Sequence, residues 1–356
     1  MGAIKLKLKT YFKKYTAVIF ILAFIALILA DPEVCTSGVA EGIIISGRII
    51  IPSLFPFTAC VLFLSGSGAL SPFRYLSPVT KRIFNINGEL FAIMLLSCIG
   101  GYPIGAKLLN EAVDNKKISP ENAGIMLNYC VNAGPAFVII AVGSGVLGSK
   151  PAGTVLFAAH LASSLIIGVL CGFFIKPQNG INKQSIIRHN AADCFVYSVS
   201  SAASSVLGIC GYVIFFSAVN AYLNCYSENF PFLKYAKAFF EVTNAVYSAK
   251  SIEVMAFLLG FAGISIWCQV LSVGKSLKIN LFVFAAVRAV HGAVSAIITR
   301  LLIKIFNITV FVSSAVRYKP FYGGGALGFS MLVMVIILII SVFNKKSTGK
   351  ILDDIV

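Results

Sequence analysis

The chain has 356 residues, of which 58% are hydrophobic and only 12% charged, and its mean hydropathy is +0.91. A soluble core needs far less apolar surface, and the period-two alternation of an outer-membrane barrel is absent, so the composition gives an all-α polytopic membrane protein. The formal charge of +16 would point to nucleic acid on a soluble face; here the basic residues sit at the ends of apolar runs, so topology accounts for them and no nucleic-acid partner is expected.

Residues 1–14 carry Lys5, Lys7, Lys9, Lys13 and Lys14, ahead of an apolar run over 16–30. An uncleaved first span with its N-terminus inside fits this better than a signal peptide. Asp31, Glu33 and Glu41 then fall outside. In the stretch 42–70, Arg48, Pro52 and Pro56 interrupt the first half, which predicts an interfacial helix that then crosses. Arg74, Lys81 and Arg82 mark the inside.

The apolar run 90–99 stops at Gly100-Gly101-Tyr102-Pro103, and a second run over 104–109 follows. Neither run reaches the roughly 20 residues that a crossing needs. Pro103 lacks a backbone donor and disfavours helix at Tyr102, while the glycines permit a sharp turn. A re-entrant hairpin over 90–109 is expected. Broken backbone at membrane depth is tolerated only where protein buries it or where it lines a wet cavity, and in transporters such breaks mark the binding site. Ser119-Pro120-Glu121 reads as a helix start. Spans over 122–148 and 151–175 follow, and Lys176, Lys183 and Arg188 return the chain to the inside.

The second half repeats this plan. A span over 191–223 opens with small polar residues, and 239–250 (FFEVTNAVYSAK) is short and polar in its middle. Spans over 252–273 and 280–304 complete the repeat. Ala262-Gly263 stands where Ala133-Gly134 stands, Gly274 where Gly145 does, and Ala289-Val290-His291 where Ala158-Ala159-His160 does. A linker over 307–328 leads to a last span over 329–343, with Lys345, Lys346 and Lys350 inside. The expected organisation is an inverted repeat with about eight transmembrane helices and two re-entrant helical hairpins. A basic segment and first helix occupy 1–41. The first repeat is 42–175 with its hairpin at 90–109, the second is 176–306 with its hairpin at 235–250, and 307–356 holds the linker and last helix. Both termini are placed in the cytoplasm. Paired broken elements in inverted halves are the signature of a secondary transporter. Most of the nine cysteines lie inside apolar runs, and no C-x-x-C pair occurs.

Gly100-Gly101-Tyr102-Pro103-Ile104-Gly105-Ala106-Lys107, followed by Asn132-Ala133-Gly134-Pro135-Ala136-Phe137, resembles the YlbJ-type sporulation integral membrane proteins of the nucleoside recognition, or Gate-domain, group. Phe240-Glu241-Val242-Thr243 and Phe261-Ala262-Gly263-Ile264-Ser265, with Gln269, resemble that group's second half. The likeness covers roughly 42–304. It implies the architecture of concentrative nucleoside transporters, two repeats each with a hairpin and an interrupted helix around a midplane site. It also implies a place in the mother-cell or forespore membrane of an endospore-forming bacterium, and movement of a small metabolite, with dipicolinate the leading candidate. The sequence departs from the group at Asn244-Ala245-Val246-Tyr247, where glycines are expected.

Several residues could form the site. Glu241 is an acid inside a membrane segment, a functional hypothesis by default; the blander reading is a headgroup-region carboxylate paired with Lys237. Thr243 and Asn244 add neutral donors and acceptors. Lys107 could attract an anion or snorkel to the surface. Ser97, Gly100 and Gly101 offer half-helix ends to a carboxylate. Asn132, Ser265 and Gln269 could line the site or act as interhelical glue. His160, His291 and Arg288 could form a relay or be satisfied interhelical groups. No phosphate loop, zinc motif or paired-carboxylate pattern is present, and Gly143-Ser144-Gly145 lacks the histidine of a serine-protease site, so no enzyme is expected. The partners expected are a small-molecule substrate and membrane lipid, with a homo-oligomer left open. No cofactor is expected, and the driving ion, H+ or Na+, is unassigned. The competing readings are a non-transporting structural or assembly protein of sporulation membranes, and a nucleoside transporter.

Overall fold

The computed structural model describes residues 18–19, 21–176, 190–227, 239–247 and 249–308, with only the backbone of Asn244. Every regular element among them is helical. The last span at 329–343, the linker before it, the basic N-terminal segment and Lys237 lie outside the described residues.

Helix α1 (Ile21–Ala30) turns at Asp31, whose carboxylate accepts the Val34 N–H at 3.3 Å. Helix α2 (Pro32–Gly66) follows at once and runs for 35 residues, about 52 Å at 1.5 Å per residue. The interfacial start expected before residue 70 is therefore absent, and the division drawn at 41/42 falls inside an unbroken helix. Prolines in a membrane helix are tolerated where local rewinding and hydroxyls re-satisfy the carbonyls they free. Here Ser46–Ile50 is wound as a π-turn just before Pro52, and Ser53 Oγ donates to Ile49 O at 2.5 Å.

A 3-10 turn (Ser71–Leu76) and α3 (Ser77–Phe84) precede α4 (Gly88–Gly100), which is bent from them by 80°. Gly101 has φ +74°, and α5 (Ile104–Asp114) returns after it, so the break expected at Gly100–Pro103 is present. Helix α6 (Pro120–Met126) begins as expected, with Ser119 Oγ accepting the Asn122 N–H at 3.3 Å. It stops far short of a crossing. Residues 127–134 are non-helical, and α7 (Ala136–Val146) resumes with π winding beyond Pro135. Helices α8 (Lys150–Gly172) and α9 (Ala191–Cys225) are continuous. After Glu241 comes the short α10 (Val242–Tyr247). Helices α11 (Ile252–Phe261) and α12 (Gly263–Val273) are separated by a break where Ala262 and Gly263 have φ +72° and +73°. Helix α13 (Leu281–Ile305) closes the described fold.

Five of the described helices are long and apolar enough to cross a membrane, counting α11 and α12 as one, and the bent pair around α4 would make six. The chain is a multi-pass helical membrane protein. Two cores hold it. Helices α2 and α9 lie antiparallel over their length: a Cβ on Gly38 would meet Ala221 and Ala218, one on Gly42 would meet Ile214, and one on Gly66 would meet Cys194. Their middle turns form one core, from Ile45, Ile50 and Leu54 to Val206 and Val213. A larger one joins the helices from α3 to α13 with the ends of α2 and α9 nearest them, Val61, Leu62 and Ala202.

One end of the stack gathers the basic loops. Asn85 Nδ2 donates to Ile175 O at 2.8 Å, Asn122 Nδ2 to Lys176 O at 2.8 Å, and Ser276 Oγ to Asp114 Oδ1 at 2.6 Å. Glu121 meets Lys278 at 3.3 Å here, and its own backbone N–H and then that ammonium hold its carboxyl below the ordinary range. Both arms of the α4–α5 hairpin lead to this end. Helix α13 is antiparallel to α11–α12, since Trp267 packs on Phe284 while Gly260 packs on Gly292. The chain therefore passes from α10 into α11 at the opposite end.

Candidate functional site

Each break in the helix stack seats on a glycine. A Cβ on Gly134, in the unwound stretch, would lie 3.3 Å from Gly101 Cα and 3.4 Å from Ile99 O. A Cβ on Gly263 would lie 3.3 Å from Phe239 O and 3.4 Å from Val242 N. The first hairpin tip thus rests against the break 127–134, and the segment around Glu241 against the break at Ala262-Gly263. Gly105 presses the first hairpin further into place, since a Cβ there would fall 1.7 Å from Cys130 O.

Behind the first tip, Ser97 and Asn132, two of the residues expected to line the site, come together. Asn132 Nδ2 donates to Tyr129 O at 2.9 Å and reaches Ser97 Oγ at 3.4 Å, while Ser97 Oγ donates to Met94 O at 2.6 Å. These two, with Gly100 and Gly101, pack the break and line neither of the two cavities described next.

The larger cavity, of about 410 Å³, runs along α5 from Pro103 through Lys107 to Glu111 and is closed by α9 and α12. Lys107 is half-buried there and turns inward instead of snorkelling. Its ammonium donates to Ser201 O at 3.1 Å, Ser201 Oγ at 2.6 Å and Ser205 Oγ at 2.7 Å, using all three of its donors. Among the described residues it has no carboxylate within 4.0 Å, the one such pair being Lys278–Glu121. Ser201, Ser205 and Tyr102 were not singled out in the sequence; the run of small polar residues opening α9 was the available signal.

A smaller cavity of about 30 Å³ lies between Tyr102, Gly134, Phe137, Glu241, Thr243 and Gln269. That is room for about one water. Glu241 is fully buried, and its Oε1 accepts the Thr243 N–H at 3.0 Å, capping α10. Gln269 lines both cavities. Its Nε2 donates to Ser265 Oγ at 3.4 Å, and its Oε1 is buried without a partner. Of the ten residues proposed from sequence, Lys107, Gln269, Glu241 and Thr243 therefore face cavity space and Ser265 supports one of them. The side chain of Asn244 lies outside the described residues.

A second polar cluster stands behind both breaks. Ala133 N donates to His160 Nε2 at 3.1 Å, so that nitrogen carries the lone pair. His291 Nε2 donates to His160 O at 3.1 Å, which leaves His291 Nδ1 to accept from Arg288 at 2.9 Å. The two rings stack with centroids 4.5 Å apart. Arg288 also donates to Gly260 O, and the Tyr102 hydroxyl to Leu259 O; both carbonyls belong to the last turn of α11, whose intrahelical donors the break removes. Both histidines thus serve as interhelical groups: both ring nitrogens of His291 are paired, whereas His160 Nδ1 and Arg288 Nε are buried without a partner among the described residues. Among the described residues no group of three or more His, Cys, Asp and Glu could hold a metal ion.

Comparison with known proteins gives one relative. The chain is similar to the sporulation integral membrane protein YlbJ of Bacillus subtilis (strain 168), with 21% identity over 335 residues, covering 80% of this chain and 81% of that protein. The YlbJ-type resemblance drawn from the G-G-Y-P-x-G-A-K and N-A-G-P motifs is borne out by this match. No protein-family model matches the chain, and no solved structure does.

Proposed function

We propose that the chain is a secondary-type transporter of a small anionic metabolite, acting in the membrane of a sporulating cell, with dipicolinate as the leading substrate. The observation that carries this reading is Gln269. Its unpartnered Oε1 is buried at the junction of two cavities, one walled by Lys107 and the other by Glu241. An orphaned buried acceptor costs about 1–3 kcal/mol, and of the residues with such unpartnered buried side-chain atoms among the described residues Gln269 alone lines these cavities. The place in sporulation rests on the likeness to YlbJ.

In this reading the four broken elements form two inverted halves, and the two hairpins re-enter from opposite sides. The support is that the chain leaves α5 at the basic end of the stack and α10 at the other. A substrate carboxylate entering the larger cavity is met by Lys107 and by the Ser205 hydroxyl, whose proton can swing from Ser201 O to the substrate. Gln269 holds the next polar group. Glu241, in a space that fits one water or a bare cation, takes the coupling proton or sodium. Rocking of the halves about the glycine contacts then exposes the site to either side.

Uptake of labelled dipicolinate, and of nucleosides, into proteoliposomes tests the reading. Wild type should accumulate dipicolinate. Glu241→Gln should lose accumulation at unchanged membrane abundance, because an amide oxygen still caps α10. A folded wild type that moves neither substrate would replace the transporter with the assembly factor.

A further inference from the structure

A third opening lies away from the hairpins, between α3 and the end of α8. It is a cleft of about 750 Å³ with Lys81 and Arg82 at its edge and Ile83, Val169 and Phe173 among its walls. The sequence explains why it is preformed. Thr80 Oγ1 donates to Ile86 O at 2.9 Å and Asn85, at φ +56°, ends α3, so the helix stops over α8. The Asn85 amide then donates to Gly172 O at 3.3 Å and Ile175 O at 2.8 Å. Gly172 admits this approach, since a Cβ there would sit 2.8 Å from Phe84 O. Lys81 and Arg82 are exposed, with no carboxylate within 4.0 Å among the described residues. Beside them Phe173 is 82% exposed, and Val79 and Ile83 present apolar surface on the same short helix.

We propose that this cleft seats an anionic phospholipid of the leaflet on which the basic loops lie, its phosphate between Lys81 and Arg82 and the upper part of an acyl chain against Ile83, Val169 and Phe173. Topology alone accounts for basic residues at this end of the stack. It does not account for two cations without a carboxylate partner among the described residues at the mouth of an apolar cleft, a pairing that complements a lipid's charged head and apolar chain and no soluble anion. Basic pockets between membrane helices bind anionic headgroups in this way.

The unfolding temperature of the full chain in detergent reads the interaction, because a ligand that binds only the folded state raises it. Phosphatidylglycerol should raise it by several degrees more than phosphatidylcholine does, and inorganic phosphate should leave it unchanged. The double variant Lys81→Gln/Arg82→Gln, altered at exposed positions, should keep the wild-type value without lipid and lose the extra rise. Phe173→Ser should reduce that rise, while Lys116→Gln/Lys117→Gln, at the same end but outside the cleft, should keep it. Equal responses to the two lipids, a full response in the Lys81/Arg82 variant, or loss in the Lys116/Lys117 variant would overturn the proposal. A full shift with inorganic phosphate would overturn it too, leaving an anion site with no lipid.

Discussion

Two buried polar groups lie on either side of the same chain breaks, and they are built on opposite principles. The Arg288–His291–His160 group spends hydrogen bonds on backbone that the breaks have orphaned, the Gly260 carbonyl on one side and the Ala133 N–H on the other, and leaves Arg288 Nε and His160 Nδ1 without partners in close-packed surroundings. It lines neither hairpin cavity. The Lys107–Gln269–Glu241 group lines open space and leaves the Gln269 Oε1 unpaired. Residue type does not separate them, since both hold a cation inside the membrane. The partners do: a polar side chain committed to orphaned backbone holds the fold, and one committed to a cavity is available to a ligand.

The largest effect should come from breaking the first group. Arg288→Met leaves Gly260 O and His291 Nδ1 without donors, at about 1–3 kcal/mol for each buried acceptor. Relief of the buried guanidinium charge offsets part of that. The acceptors should win, because Gly260 O lies in the last turn of α11, where the break removes the intrahelical donors. A lower unfolding temperature and reduced membrane abundance are expected. A higher unfolding temperature would reverse the comparison, since residues kept at the expense of stability are the functional ones. His160→Phe is the milder cut. It preserves the ring stack with His291 and strands the Ala133 N–H, while removing the unpartnered Nδ1–H offsets part of the cost, so a loss in the lower part of the range of about 1–3 kcal/mol is expected in denaturant titration of the detergent-solubilised protein.

How much of this could be read beforehand follows from what each feature depends on. The helix starts at Ser119 and the break at Gly101–Pro103 were legible because local chemistry fixes them: a cap, a missing donor, a glycine at positive φ. The unbroken course of α2 was not, because Pro52 and Pro56 look like breakers until the π-turn and the Ser53 hydroxyl are seen. The failure of the helix over 127–134 was half legible, from Pro135. Its extent was not, since the freed Ala133 N–H is satisfied by His160, on another helix. Among the site residues, Lys107 and Glu241 stood out as charges in apolar sequence. Ser201 and Ser205 did not, because small hydroxyls are common in membrane helices and only the tertiary fold brings them to Lys107.

Cutting the second group should separate transport from stability. Lys107→Met removes the one cation on the larger cavity and frees Ser201 and Ser205, which can donate back to their own helix carbonyls, as Ser205 Oγ already does to Ser201 O at 2.7 Å. Membrane abundance should hold while anion uptake falls about a hundredfold, roughly the 3 kcal/mol upper value of a charge-assisted hydrogen bond. Lys107→Arg should recover part of it. Uptake equal to wild type in Lys107→Met would remove the lysine from the site and return it to a packing role on α9.

Gln269→Leu is the smallest and most discriminating change. The residue is 1% exposed, and of its polar atoms Nε2 has one long bond while Oε1 has none. Leucine of similar size removes an unsatisfied acceptor, so the unfolding temperature should stay level or rise slightly. Only the Ser265 hydroxyl loses a partner, and at 3.4 Å that bond is weak. If Oε1 is kept for a ligand, the same variant should show a several-fold rise in the substrate concentration giving half-maximal uptake, about the 1 kcal/mol of one neutral hydrogen bond. A fall in stability with unchanged uptake would instead make Gln269 interhelical glue and place it with Arg288. The comparison would then no longer divide at the cavities, and the residue carrying the proposed function would have been part of the scaffold.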